Sequence, residues 1–494
     1  MTIETELKLH ITPENLVRLK RYPFLRTLSA DRARTQKLYS IYYDTAELEL
    51  HQHAMALRLR RVGKQWIQTL KGGGQVSAGL HQRNEWETPV LSERLDFEAL
   101  KTSGGELPRG VRNRLQPVFV TDFSRNVRLI DFEGAQIELC MDNGEIRAGQ
   151  SSCPISELEF ELKSGAPQQL FKLALALLDI VPLQVEHTSK AEYGYLLFAA
   201  SHPAPVKGSF PALHKAQNTA SALQAMIVAC LAQVQANVPG ALLELDEEYL
   251  HQVRVGLRRL RVVLAIVRRV HDDAEASALR EQVARLCVEL GRAREWDVFV
   301  TQTLAPICTR LPEHAGLHGV LQASERRRKR LYAETVNSLA SADFQRMLLR
   351  FGAWLQGEQW SVPGTPLKPF ARRILQKQHK RVLAQGAASR ENPAQLHVLR
   401  IACKKLRYDA EMFGSLFADG GSKAYVAELA ALQDALGELH DIAVADLLLH
   451  ELDSRQRRDT LALIRGWIAH DHVEREAKFS KIWQRFSNKN GFWN

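Results

Sequence analysis

Ile3-Glu4-Thr5-Glu6-Leu7-Lys8-Leu9 decides how the first part of the chain is read. Charges occupy every second position, Glu4, Glu6 and Lys8, and apolar residues fill most of the gaps. A strand has a side-chain period of two, so the three charges share one face. Two carboxylates and an ammonium make a poor core and a good site for a metal and a phosphate. Taken alone, such a stretch reads more simply as an amphipathic strand with one solvated face. The rest of the chain changes that reading.

The same alternation recurs through the first 200 residues. Leu57-Arg58-Leu59-Arg60 alternates Leu with Arg, Glu85-Trp86-Glu87 alternates acid with Trp, and Glu157-Leu158-Glu159-Phe160-Glu161-Leu162-Lys163 mirrors the opening run. Tyr39–Tyr43, Trp66–Lys71, Gln116–Val120, Val127–Ile130 and Ile137–Leu139 are further β-rich segments. Asp142-Asn143-Gly144 reads as a turn, and Gly72-Gly73-Gly74 as a flexible hairpin loop lacking phosphate-loop spacing. Many short strands with few helices indicate an antiparallel barrel or sandwich. A solvated face would mix charge signs with Thr, Ser and Gln, whereas some of these runs are all acid and some all base. With Leu57, Leu59, Trp86, Leu158, Phe160 and Leu162 packed outward, acids collect on one interior wall and bases on another. Each buried charge then needs a partner or a metal. His81 and His187 are read as structural, the commoner fate of a lone histidine.

Glu4-Thr5-Glu6-Leu7-Lys8 resembles the ExExK signature of the CYTH superfamily, the triphosphate tunnel metalloenzymes. Leu57–Arg60, Thr69–Lys71, Arg83–Glu85, Asp122–Arg125, Asp142–Glu145, Glu157–Glu159 and Ser189–Ala191 resemble that family's later motifs in its order, over essentially residues 1–200. The resemblance implies an eight-stranded antiparallel β tunnel and hydrolysis of a triphosphate. It implies divalent-cation ligation, by Mg²⁺ or Mn²⁺, from Glu4, Glu6, Asp142, Glu157 and Glu159, with Glu161 the next inward residue of its strand. Lys8, Arg58, Arg60, Lys71, Arg125 and Lys190 would bind triphosphate oxygens, and Glu4, Glu6, Lys8 and Glu85 would form the catalytic group.

Charge divides the chain. The net +10 lies wholly in residues 201–494, with 41 basic and 31 acidic groups, while residues 1–200 hold 25 of each. A basic second part suggests a polyanionic partner. Residues 201–212, rich in Pro, Gly and Ser, read as a linker between a first domain of residues 1–200 and an all-helical domain of residues 213–490. The helical pattern is broken near Val362–Pro369, and repeats of about 213–360 and 370–490 flank the break. His251–Arg261 aligns with His397–Arg407, and 40 residues after each His comes a second shared piece, Leu290–Arg294 against Leu436–His440. His251, Arg254, Arg258 and Arg261 form one stripe of a helix, backed by Val253, Leu257, Leu260 and Leu264 on the other face. His397, Arg400, Lys404 and Arg407 repeat the stripe, with Leu399, Cys403 and Leu406 behind it. A single basic helix face is usually solvated; two copies with the same downstream piece point to a site.

A duplicated, His-led basic stripe in an all-α region resembles the CHAD domain, over roughly residues 212–490. That resemblance implies binding of inorganic polyphosphate, and the residue types suit a linear polyanion. Arg292, Arg294, Arg372, Arg373, His379 and Lys380 would extend the track, while Arg326–Arg330 wraps its helix and reads as solvated surface. No aromatic residues interleave the stripes, which argues against nucleic acid. The expected activity is inorganic triphosphatase; adenylate cyclase, organic triphosphatase and non-catalytic polyanion binder are the alternatives. The six scattered cysteines, without CxxC, fit a reducing cytosol. The sequence shows no run of about 18 apolar residues and no signal peptide, so no membrane is expected as a partner.

Overall fold

Alternating charge and Leu builds long strands whose charged face can only point inward. The structure, a computed structural model, describes residues 2–29, 31–77, 79–270, 273–361, 365–391, 395–417, 421–452 and 457–493. It divides into two compact units, residues 1–206 with 340–358, and residues 207–339 with 359–494.

In the first unit the strands are β1 (Thr2–His10), β2 (Arg34–Asp44), β3 (Met55–Val62), β4 (Gln65–Ser77), β5 (Leu80–Val90), β6 (Gln116–Phe132), β7 (Ala135–Ala148) and β8 (Ser151–Ser164), with a two-residue β9 (Gln184–Val185). They form one antiparallel, curled sheet in the order β5-β4-β3-β2-β6-β7-β8-β1-β9, and β1 also pairs with β5. The eight long strands thus close on themselves as expected, and β9 is appended beside β1. Leu7, Leu9, Leu139, Met141, Leu158 and Phe160 face outward and share a core with Leu16, Leu19, Leu170, Phe171 and Leu177. Those partners come from the helices Pro13–Arg21 and Gln168–Leu178. Leu57 and Leu70 pack outward against Leu100 of the Phe97–Thr102 helix. The alternate residues Glu6, Lys8, Arg58, Asp142, Glu157 and Glu159 are buried on the inner face.

Two local readings are overturned. Asp142-Asn143-Gly144 is no turn but the middle of β7, paired with Arg125, Ser124 and Phe123 of β6. At Gly144 a Cβ would lie 2.2 Å from the Asp122 carbonyl oxygen, so glycine there admits a close strand. Gly72-Gly73-Gly74 is no hairpin loop but a bulge inside β4, with a register shift against β5 and positive φ at Gly73 and Gly74.

The Ala342–Leu355 helix also belongs to this unit, although its sequence lies inside the helical half. It packs on Gln168–Leu178: Gln168 Nε2 donates to the Ala353 carbonyl at 3.0 Å, and Arg346 pairs with Asp179 at 2.8 Å. Gln345 Oε1 accepts from the Val185 amide at 2.9 Å. A Cβ on Gly352 would stand 2.0 Å from the Phe171 ring. Gly352→Ala is therefore expected to destabilise this unit by about 1–3 kcal/mol of overpacking, or about 2–12 °C. Calorimetry checks this, and an unchanged melting temperature would refute the docking.

The second unit holds two sets of four long helices. Thr219–Leu242, Glu247–Val267, Ala274–Val298 and Ala315–Ala340 come first, then Leu367–Glu391, Leu396–Phe413, Gly421–Glu451 and Arg458–Ser487. A shift of 146 positions carries His251 onto His397, Arg258 onto Lys404 and Arg294 onto His440. The starts of the repeats meet, the Thr219 amide and hydroxyl both donating to the Thr365 carbonyl at 3.2 and 2.6 Å. Of the break read at Val362–Pro369, residues 362–364 lie outside the described residues. Val253, Leu257, Leu260, Leu264, Leu399, Cys403 and Leu406 are all buried, so the helices face as their periodicity requires.

Against the sequence reading, Thr219–Leu242 is long and apolar enough to span a bilayer by length and composition. Most of that apolar window is buried in the bundle, with Gln233 bonded to Gln252 and Arg259. That is how a core helix of this composition behaves.

Candidate active site and anion groove

Inside the curled sheet the charges pair across strands. On β1, Lys8 bridges Glu6 (3.0 Å) and Glu159. Arg125 of β6 grips Asp142 through two parallel bonds, 2.8 and 2.6 Å, and also reaches Glu159. Lys190 opens the Lys190–Phe198 helix and meets Asp142 (2.7 Å), Glu157 and Glu159 (3.0 Å). On the opposite wall Lys71 holds Glu4 at 2.5 Å and Glu85 at 3.3 Å, and Arg58 holds Glu85 at 3.3 Å.

Burial alone pulls Lys8 down, but Glu159, Glu6 and Glu157 outweigh it and hold the ammonium well above its ordinary value. Burial pushes Glu157 up to about 7, while Lys190, Lys8 and Arg125 overcome burial at Glu159 and keep it well below the carboxylate range. Arg60 is different. It donates to Ser40 Oγ at 3.0 Å and has no carboxylate partner among the described residues. Burial, then Arg58, lower it to about 10. The interior left between these pairs is a cavity of about 70 Å³.

In the helical unit the stripes of the two repeats face each other. Arg258 depresses both Arg400 and Lys404, after burial, the latter to about 7. Arg254 falls to about 9 by burial and by Arg258 and Arg294. His440, its ring centroid 5.2 Å from that of His397 and tilted to it, is lowered to about 4 by burial and then by Arg400. The stripes run into a cavity of about 520 Å³ lined by Arg258, Arg261, Arg269, Arg280, Arg381, Lys404 and Lys405, with buried Asp409 among them. Seven cations thus share the cavity with two acids, Glu281 and Asp409, an excess of positive charge.

A model of the CYTH domain matches residues 2–195, and a model of the CHAD domain matches residues 225–450. The crystal structure of the CHAD domain from the plant Ricinus communis is 30% identical, with a TM-score of 0.54, and covers 58% of this chain and 98% of its own. This chain belongs to the CHAD domain family and carries a CYTH domain ahead of the CHAD domain. An inorganic triphosphatase of Haemophilus influenzae is 36% identical over 197 residues, 40% of this chain. The chain spans about half of that relative, 55% of its length.

In the CYTH domain Asp142, Glu157 and Glu159 each offer an oxygen within 4.8 Å of the others. Three hard oxygen donors at this spacing fit Mg²⁺ or Mn²⁺. Glu4 and Glu6 lie on Lys71 and Lys8, and Glu161 sits farther along β8 on Lys163 at 2.6 Å, outside that group of three. Glu85 stands among the bases, between Arg58 and Lys71. His81 is buried with Nε2 3.5 Å from the Glu186 carbonyl, and neither it nor His187 lines the tunnel cavity.

Sequence reasoning missed Tyr42, stacked 4.4 Å from Phe119 and lining the cavity, and Phe123, whose ring lies under Arg60, Arg125 and Lys190. The alternation of Ser40 and Tyr42 with Arg60 and Arg58 across β2 and β3 was the available signal.

In the CHAD domain all eight stripe residues occupy the two facing helices, but Arg407 turns aside to Glu411 (3.3 Å) and Gln433 (2.9 Å). Among the suggested extensions, Arg294 couples to Arg254, whereas His379 is tied to the Tyr425 hydroxyl at 2.7 Å in an aromatic cluster with Phe486 and Trp493. Arg327, Arg328 and Arg330 are paired with Glu451, Glu325 and Glu334. Arg269, Arg280, Arg381 and Lys405 are groove cations that lie off the two stripes and were not foreseen.

Proposed function

We propose that the CYTH domain hydrolyses inorganic triphosphate to pyrophosphate and phosphate with Mg²⁺ or Mn²⁺, and that the CHAD domain holds inorganic polyphosphate, in the cytoplasm. One observation carries the catalytic reading: the expected separation into an acid wall and a base wall gives way to a closed interior of buried acid–base pairs, in which Arg60 has no carboxylate partner among the described residues. A divalent cation held by Asp142, Glu157 and Glu159 would supply Lewis-acid polarisation and an acidified water. Arg58, Arg60 and Lys71 on the opposite wall bind phosphate oxygens, Arg as a fork and Lys as a point charge. Ser40 fixes the Arg60 fork, and Glu85 fixes Arg58 and Lys71. Charge developing on the leaving pyrophosphate meets donors already in place. The crowded, like-charged CHAD groove supports polyanion binding, and its Arg-rich lining suits a chain of phosphates.

The test is phosphate release from tripolyphosphate, ATP and thiamine triphosphate in parallel, with each metal. Cleavage of tripolyphosphate alone supports the reading; a cyclic nucleotide from ATP replaces it with a cyclase. Arg60→Ala is expected to raise KM for tripolyphosphate about 10–100-fold, the loss of one charged hydrogen-bonding group. Its melting temperature should stay level or rise, because the variant removes a buried charge that has no acid to offset it. A large drop in stability with KM unchanged would show that Arg60 is structural.

A further inference from the structure

Lys190 stands at the start of its helix, which Ser189 caps by accepting from the Glu192 amide. Its ammonium touches Asp142, Glu157 and Glu159, the same three carboxylates whose oxygens converge. All four side chains are buried, and the Phe123 ring lies 5.2 Å from the ammonium. Glu157 pairs with no other cation among the described residues. Lys190 also lines the tunnel cavity beside Lys8, Arg58, Arg60 and Arg125. The ammonium therefore sits where a cation shared by the three carboxylates would sit, and both cannot use the same oxygens.

We propose that Lys190 is an internal stand-in for the divalent cation: it neutralises Asp142, Glu157 and Glu159 in the metal-free domain, and metal entry turns its ammonium out into the tunnel to meet substrate phosphate. The proposal rests on the reading that these three carboxylates hold the metal. The exchange has a direction built into it. Released without an anion, the ammonium would add to the charge of Lys8, Arg58, Arg60, Lys71 and Arg125 around the cavity, whose acids Glu4 and Glu6 are already held by Lys71 and Lys8. Released onto triphosphate, it is paired again. Metal alone is thus resisted, and metal with triphosphate is welcomed, which ties cation loading to the presence of substrate.

The experiment is Mn²⁺ titration of the full chain without phosphate, read from the spin-resonance signal of free Mn²⁺. Wild type, Lys190→Met, Lys190→Gln and Glu157→Gln are compared, with a melting curve at each Mn²⁺ concentration. Lys190→Met is expected to bind Mn²⁺ at least tenfold more tightly than wild type. Its melting temperature, lower than wild type without metal, should recover as Mn²⁺ is added. Lys190→Gln keeps most of the side-chain length and a donor, and should show the same gain should the methionine variant not fold. Unchanged or weaker Mn²⁺ binding in both Lys190 variants, with binding in wild type abolished by Glu157→Gln, would overturn the exchange while leaving the metal site standing. Absence of saturable Mn²⁺ binding, or binding indifferent to Glu157→Gln, would overturn the metal reading and the exchange with it.

Discussion

Replacing Glu159 by glutamine is expected to cut tripolyphosphate turnover by about 10³-fold or more and to lower the melting temperature of the CYTH domain by about 6–20 °C. The carboxylate of Glu159 is shared by Lys8, Arg125 and Lys190. The amide keeps shape and removes the charge, so three buried cations lose a common counter-ion. Removing one partner of a buried ion network costs about 3–5 kcal/mol because the remaining charges stay desolvated. The same loss has a second consequence. The freed cations face a cavity already lined by Arg58 and Arg60, so the variant should retain tripolyphosphate without metal more tightly than wild type while failing to cleave it. Added tripolyphosphate should then restore part of the lost melting temperature. Calorimetry with and without the anion, beside a phosphate-release assay, separates these effects. Turnover within tenfold of wild type would show that Glu159 only pairs charges and takes no part in the site.

What could be read from residues alone was decided by periodicity. Leu7 and Leu9 alternate with Glu6 and Lys8, and the inversion of ordinary patterning followed because runs such as Leu57–Arg60 and Glu85–Glu87 carry charge of one sign. Closure of the sheet needed only that inference, and β1 pairing with β5 supplies it. Asp142-Asn143-Gly144 misled because turn propensity is local, whereas a ladder with β6 and β8 on both sides overrides it. The Ala342–Leu355 helix misled for a different reason: an apolar helix face does not name its partner, and Phe171, which fills the space over Gly352, is 181 positions away in sequence. The difference between Arg58 and Arg60 was equally hidden. Both are alternate residues of β3, yet only Arg58 comes within reach of Glu85 on β5. In the CHAD domain the repeat exposed the stripes, but a buried acid such as Asp409, two residues past Arg407, carries no sequence signal of its burial.

Asp409 makes the second large effect a pH effect. Polyphosphate retained by the CHAD groove at pH 6 should be released progressively towards pH 8, with the affinity falling at least tenfold. Two groups in the same cavity titrate near neutrality. Burial, reinforced by Arg400 and Arg258, draws Lys404 down to about 7. Burial pushes Asp409 up to about 7, held back by Arg269 and Lys405. As pH rises through 7 Lys404 loses a positive charge and Asp409 gains a negative one, so both changes oppose an anion. Seen from the other side, a bound polyanion favours ammonium and protonated carboxyl and binding takes up protons, by the linkage that ties any proton uptake to pH. Each proton taken up is worth about tenfold in affinity per pH unit between the free and bound pKa values. Arg258 is a fixed charge of the first stripe and depresses both Arg400 and Lys404 on the facing repeat. Arg258→Glu, a change of two charges, is expected to weaken retention about 100-fold at every pH and leave the pH slope in place. Lys404→Met with Asp409→Asn should do the reverse, flattening the slope between pH 6 and 8. Titration of labelled polyphosphate at fixed salt measures both, since salt alone weakens any such contact. A slope unchanged in the double variant would place the titrating groups outside the groove.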